Sequence, residues 1–132
     1  GDGDIRRDFP GGWAGDERNA FRATGRTAVE QEAFLYISRL LRYRKENPVL
    51  QHGTMIQFLP RDNVYVYFRM NEQKTVMVIL NISDGQKSLD VARFDECLKG
   101  ARKWKDVMTE QEGTLEGLVM EGKTAMVLEV GN

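Results

Sequence analysis

Lys74-Thr75-Val76-Met77-Val78-Ile79-Leu80-Asn81 is the stretch whose reading decides the fold. Its apolar residues run unbroken from Val76 to Leu80, and Val76, Val78 and Ile79 are β-branched. A run so short and so uniformly apolar predicts a strand covered on both faces. A helix fits it poorly, because Val and Ile lose χ1 freedom there and the run stops at the turn cluster Asn81-Ile82-Ser83-Asp84-Gly85.

Outward from this strand the pattern has period two. Residues 54–59 and 64–69 read as a hairpin joined by Pro60-Arg61-Asp62-Asn63, with Val64, Val66 and Phe68 on one face and Tyr65 and Tyr67 on the other. Beyond it, 87–91 reads as a short strand and 92–98 as one or two helical turns ended by Gly100. Residues 103–109, 114–118 and 124–130 complete a set of short strands, with turns expected at Glu112-Gly113 and Glu121-Gly122. The expected fold is mainly β, an antiparallel Greek-key β-sandwich preceded by one long α-helix and a Gly-rich loop.

That helix begins at a capping box, Thr27-Ala28-Val29-Glu30, and ends before Asn47-Pro48, with Arg42, Arg44 and Lys45 suited to its negative end. Val29, Ala33, Phe34, Tyr36, Ile37, Leu40, Leu41 and Tyr43 take up roughly half its circumference, wider than a one-sided stripe. The pattern suits a helix that touches two bodies. Residues 1–25, rich in glycine and charge, read as a long loop without regular structure, pinned by Phe9 and Trp13 on either side of Pro10-Gly11-Gly12.

A chain of 132 residues fits one domain able to bury roughly two-thirds of its unfolded surface. The net charge of −1 supplies no field for drawing in nucleic acid or an anionic membrane, so neither is expected as a partner. No apolar run reaches the roughly 20 residues of a membrane span, and no signal peptide opens the chain. It starts without Met inside the glycine-rich loop, as a piece of a longer polypeptide would, which leaves the compartment unknown.

Few residues suggest chemistry of their own. The single Cys97 permits no internal disulfide and reads as a small buried hydrophobe, and the single His52 reads as a solvated turn residue with no nucleophile motif around it. Asp2-Gly3-Asp4 lacks the later ligands of a calcium loop, so no metal and no cofactor is expected. Arg39, Arg42, Arg44 and Lys45 are a phosphate patch or, more simply, helix-end charge compensation. Tyr65 and Tyr67 are either a sugar-stacking platform or packing beneath the helix.

Gly1-Asp2-Gly3-Asp4-Ile5-Arg6-Arg7-Asp8-Phe9-Pro10-Gly11-Gly12-Trp13, followed by a helix ending Arg39-Leu40-Leu41-Arg42-Tyr43-Arg44-Lys45-Glu46-Asn47-Pro48, then by Gly53 and a sheet holding Val78-Ile79-Leu80-Asn81, resembles the C-terminal part of the α-amylase superfamily of glycoside hydrolases, nearest to neopullulanases and cyclomaltodextrinases. The resemblance implies that residues 1–50 are the last loop and helix of a catalytic (β/α)8 barrel and that 51–132 form the C-terminal β-sandwich, which steadies the barrel. It implies a retaining α-glycosidase as parent, acting on maltodextrin, pullulan or cyclodextrin through carboxylates upstream of this segment. The chain itself would then hold no catalytic residue and be inactive. Asp2-Gly3-Asp4-Ile5-Arg6 matches the family's sugar-binding Asp-Pro-Asp-x-Arg motif with Gly3 in place of Pro, which implies substrate contact by Asp2 and Arg6 in the parent. The implied partners are an α-glucan and the chain's own barrel, and the uncovered helix face makes self-association of the fragment an expectation. The rival function is a free-standing carbohydrate-binding sandwich that stacks sugar on Tyr65, Tyr67 or Trp104.

Overall fold

The computed structural model describes residues 1–6 and 8–132, with the side chain of Asp4 outside the described atoms. The chain divides into two compact units, Gly1–Arg39 and Leu40–Asn132. The second contains the sheet: β1 (Thr54–Arg61), β2 (Val64–Met70), β3 (Thr75–Asn81), β4 (Lys87–Ser88), β5 (Lys103–Asp106), β6 (Glu112–Thr114), β7 (Val119–Met120) and β8 (Thr124–Gly131). Six strands form one sheet in the order β1-β2-β3-β8-β5-β6, and β4 pairs with β7 as a separate ribbon. Every pairing is antiparallel.

The expected two-sided strand is there. Within β3, Met77 and Ile79 face one core and Val76 and Val78 face another. The first core takes in Val64, Val66 and Phe68 of β2, Leu128 of β8, Met120 of β7, and Phe94, Cys97 and Leu98. Cys97 is a free, buried thiol whose pKa burial pushes up, as a structural cysteine requires. Phe58, Phe68 and Phe94 meet edge-on or tilted, with centroids 4.8 to 5.9 Å apart. On the opposite face, Val76, Val78 and Val127 pack with Val49, Leu40, Tyr43, Leu50 and Tyr67. Tyr67 therefore packs beneath residues of the helix end, as one of its two readings required.

Asn81 closes the central strand and is almost wholly buried. Its Nδ2 donates to the carbonyls of Gly85 and Glu121, and its Oδ1 accepts from the Ser83 amide and hydroxyl. With its amide fully used, a polar residue fits where the turn leaves the core.

The long helix, α2 (Ala28–Glu46), follows a four-residue turn of helix, α1 (Asp2–Ile5). The capping box forms as read: the Thr27 amide donates to Glu30 Oε2 at 2.8 Å and the Glu30 amide to Thr27 Oγ1 at 3.3 Å. Arg18 adds a two-pronged pair to the same carboxylate, at 2.6 and 2.7 Å. The Arg18 bonds and the Thr27 amide carry the Glu30 pKa down to about 2. At the other end, Gln51 donates to the carbonyls of Arg44 and Lys45 and Asn47 to that of Tyr43, so the last turn is satisfied by side chains.

Three details differ from the sequence reading, and a fourth, the helical segment ended by Gly100, agrees with it. The chain does not simply leave the helix at Pro48: Pro48 sits at φ −56° and opens a further turn, α3 (Val49–His52), whose Val49 is buried. Proline is a good helix opener as well as a stop. Residues 1–25 include α1 and a 3-10 turn, Ala23–Gly25, between otherwise irregular segments. The expected turn at Glu112-Gly113 lies inside β6, and the expected strand 114–118 resolves into the end of β6 and a turn before β7. The segment 92–98 holds a 3-10 turn, Val91–Phe94, and α4 (Asp95–Leu98), and leaves α4 through the positive φ of Lys99 and Gly100.

Ile79, fully buried, should cost about 2–5 kcal/mol of stability when cut to alanine. Leu59, 83% exposed on β1, should stay within about 0.5 kcal/mol on the same change. Equal shifts in urea midpoint for the two variants would contradict the two-sided core.

A second prediction concerns pH. Glu129 Oε1 accepts from Tyr43 Oη at 2.8 Å and from Lys74 Nζ at 2.7 Å, and Lys74 also donates to Asn47 Oδ1. Partial burial alone would raise the Glu129 carboxyl, but the hydrogen bonds from Lys74 and Tyr43 outweigh it and leave the pKa below its ordinary 4.5. Burial, then the Glu129 bond, holds the Tyr43 phenol above its ordinary 10.0. The Glu129 contribution is therefore present above pH 4.5 and lost as the pH falls through the lower folded value, whereas that of Tyr43 is complete below pH 10 and lost as the pH rises further. Unfolding midpoints measured across pH should fall at both ends, with Glu129→Gln flattening the acid limb and Tyr43→Phe the alkaline one.

Candidate functional site

The sugar-contact residues expected from sequence lie in the first unit. Asp2 and Arg6 are four residues apart across α1, so both point from one side of a single helical turn. Arg6 Nε stands 3.3 Å from Asp2 Oδ1, with the two side chains 77% and 68% exposed. An exposed pair of this kind contributes little stability. It does present one acceptor group and one guanidinium fork together, a combination that can accept from and donate to neighbouring hydroxyls. Asp4, the middle acid of the motif, and Arg7 carry no described side chain, so that part of the motif lies outside the described residues.

The glycine-rich loop after Arg7 is held by polar side chains that the sequence reading did not single out. Asp16 Oδ2 accepts from the amides of Gly11 at 2.6 Å and Trp13 at 3.1 Å. These backbone bonds, Trp13 first, keep its carboxyl below the ordinary carboxylate range. Gly11 itself takes φ +100°, and a Cβ there would stand 2.8 Å from the Asn19 α-carbon, so the position asks for glycine. Arg26 donates to the carbonyls of Ala20 and Phe21 and to Gln31, and its guanidinium lies 3.5 Å over the Phe34 ring. Phe9 pairs with Phe21 at 4.7 Å, while Trp13 remains 70% exposed. Phe9 is thus pinned as read and Trp13 is not: its backbone is fixed and its ring is free. The only sequence signal for Asp16 was an acid shortly after a Gly-Gly turn, and nothing local marked Arg18 or Arg26.

An apolar surface continues along α2. No residue of the helix is buried, and Val29, Phe34, Leu35, Tyr36, Ile37 and Leu41 are all exposed. A hollow of about 480 Å³ opens among Phe9, Pro10, Ala33, Phe34 and Ile37. An apolar stripe this long, left open to water, is the kind of surface that another body covers.

The other sequence candidates divide in the second unit. His52 is an exposed residue at the end of α3. Tyr65 donates through its hydroxyl to Gln57 Oε1 and lies 5.8 Å from the Tyr67 ring, so the pair is not a free flat platform. Trp104 is half-buried beside Gly113. Among the described residues no group of three or more His, Cys, Asp or Glu side chains is placed to hold a metal ion, and no helix is long and apolar enough to cross a membrane.

Known proteins share this sheet. Residues 55–129 match the family model of the cyclo-malto-dextrinase C-terminal domain. Among solved structures, AmyP in complex with maltose aligns at a TM-score of 0.65 and 15% identity, covering 78% of this chain and 21% of that one. The α-amylase from Anoxybacillus aligns at 0.65 and 17%, covering 92% of this chain and 26% of that one. A maltogenic amylase from S. marinus aligns at 0.57 and 18%, covering 76% and 12%. At these identities the structural likeness speaks for the fold, and the chain spans about a quarter or less of each of these proteins. With more than half of its residues matched, the chain belongs to the cyclo-malto-dextrinase C-terminal domain family, the α-amylase relationship that its opening motif and sheet resemble.

Proposed function

We propose that the chain is the non-catalytic C-terminal region of an α-glucan-degrading glycoside hydrolase of neopullulanase type. Residues 1–50 complete the catalytic (β/α)8 barrel, and 51–132 form the sandwich that steadies it. The observation that carries this reading is α2, a capped 19-residue helix with no buried residue and an apolar stripe exposed along it. A helix of that composition is stable in a folded protein when its stripe is covered, and the barrel is the body that covers it. Asp2 and Arg6 then stand on the loop after the last barrel strand, where barrel enzymes carry their substrate contacts.

Assayed on maltodextrin, pullulan and cyclodextrin, the 132-residue chain should release no sugar. Turnover at an ordinary enzymatic rate would end the reading. In sedimentation, the chain should associate as its concentration rises, and Ile37→Ser with Leu41→Ser should suppress that association without lowering the melting temperature, since both side chains are exposed. A clean monomer at high concentration would remove the case for a covered helix face. In the whole enzyme, Asp2→Ala or Arg6→Ala should raise KM for maltodextrin by roughly two- to tenfold, the loss of one or two hydrogen bonds.

A further inference from the structure

We infer that Asp84-Gly85 is a self-modification site, at which the chain rearranges its own backbone to an isoaspartyl link and so releases the hydrogen-bonded end of β3. The sequence holds two Asp-Gly pairs, Asp2-Gly3 and Asp84-Gly85. Glycine after an aspartate leaves the next amide nitrogen unshielded, because no Cβ stands beside it. The structure separates the two pairs. Asp2-Gly3 lies within α1, whose helical dihedrals hold the carboxyl away from the following nitrogen. Asp84-Gly85 lies in an irregular bend between β3 and β4. The Asp84 side chain is 95% exposed, and its ion pair with the exposed Lys123, at 3.2 Å, restrains it only weakly. A Cβ on Gly85 would meet nothing within 4 Å, and among the described residues no group accepts from the Gly85 amide.

Nucleophile and electrophile are thus adjacent and unencumbered. The Gly85 nitrogen attacks Cγ of the neutral Asp84 carboxyl; the N–Cγ bond forms, the Cγ–O bond breaks, and the amide proton leaves with the hydroxyl as water. Water then adds to the cyclic imide. Opening at Cγ restores aspartate. Opening at the main-chain carbonyl breaks its bond to the Gly85 nitrogen, so the chain now runs through Asp84 Cβ and Cγ and the old carbonyl becomes a free α-carboxylate. Mass is unchanged, water is the only co-reactant, and the main chain is one methylene longer.

On most exposed bends such a change would be silent, but this one is tied to the central strand. The Asp84 carbonyl rests against Gly122, where a Cβ on residue 122 would collide with its oxygen. The Gly85 carbonyl accepts from Asn81 Nδ2 at 3.0 Å and from Ser83 Oγ at 2.9 Å. After the rearrangement the seat against Gly122 has to take a charged carboxylate, and Gly85 is displaced by a methylene from Asn81. Asn81 is 1% exposed and keeps only the Glu121 carbonyl as an acceptor, so a buried N–H loses its partner. None of this depends on the hydrolase reading.

The test incubates the folded 132-residue chain at mildly acidic pH, below its melting temperature, and follows tryptic peptide 75–87. That peptide should split with time into two chromatographic species of equal mass, the new one accepting methyl groups from an isoaspartyl methyltransferase. Gly85→Ala, which the open space at that position accommodates, should slow the conversion severalfold. Asp84→Glu, whose imide ring would be larger and slower to close, should abolish it. The converted protein should melt lower by roughly 4–8 °C, the effect of one lost buried hydrogen bond, while Asp84→Glu incubated alike should keep its melting temperature. A single species in the folded chain, under conditions that convert the free 75–87 peptide, overturns the site. Conversion at Asp2-Gly3 alone overturns it as well, and conversion at Asp84 with no change in melting temperature overturns the link to Asn81.

Discussion

Two-sided burial of β3 is the constraint from which the second unit is built. A strand that buries Met77 and Ile79 on one face and Val76 and Val78 on the other requires a cover for each. On the first face the cover is the β4–β7 ribbon with Phe94, Cys97 and Leu98. On the second it is Leu40, Tyr43, Val49 and Leu50. The last turns of the long helix are therefore a structural layer of the sheet unit. The Tyr43, Asn47, Lys74 and Glu129 network fastens that layer at the mouth of β3, where the apolar contacts give way to solvent. A half-buried acceptor shared by a phenol and an ammonium fixes register as well as energy, since a one-residue slip of β3 would remove Lys74 from reach.

How much of this was legible follows from the range of each signal. The run 76–80, the alternation in 64–68 and the Thr27-Glu30 box are local and were readable, and each appears where the sequence places it. Glu112-Gly113 misled because a glycine looks the same in sequence whether it makes a turn or leaves room for a neighbour's ring; here Trp104, nine positions earlier, makes it the latter. Pro48 misled in the same way, as a stop signal that is also a start signal. The contacts between residues distant in sequence were out of reach. Nothing near Tyr43 announces Glu129, and nothing near Arg18 announces Glu30. At the candidate site the four-residue spacing of Asp2 and Arg6 was visible as motif, but the helical turn that sets them side by side was not, because the surrounding glycines argue against helix.

The edge of the sheet shows how the fold limits its own associations. β1 is long and ends the sheet, which is the geometry that invites pairing with another strand. Its far end is closed by Arg93, which donates to the Leu59 carbonyl at 2.7 Å while lying over the Phe58 and Phe94 rings, and the strand breaks register between Phe58 and Arg61 around Pro60. Where an exposed backbone edge is a liability, the chain spends a cation, a proline and an irregularity on it.

The exposed stripe of α2 is guarded only in part, by Arg26 over the Phe34 ring, and Val29, Ile37 and Leu41 stay open. Both helix ends are satisfied by side chains, Thr27, Glu30 and Arg18 at the start and Asn47 and Gln51 at the finish, so the helix does not depend on its flank for its backbone bonds. Those caps stabilise the termini by amounts of order 1 kcal/mol each and leave the side-chain pattern between them unconstrained. A helix secured in this way could carry Lys and Glu along its flank at no loss, yet the positions hold Val29, Phe34, Ile37 and Leu41. Apolar side chains thus hold positions of the helix where charge would be harmless to the fold and protective against association. A chain that blunts its strand edge and leaves its helix stripe largely bare treats the two surfaces differently, and the difference is what a covered stripe and an uncovered edge would require.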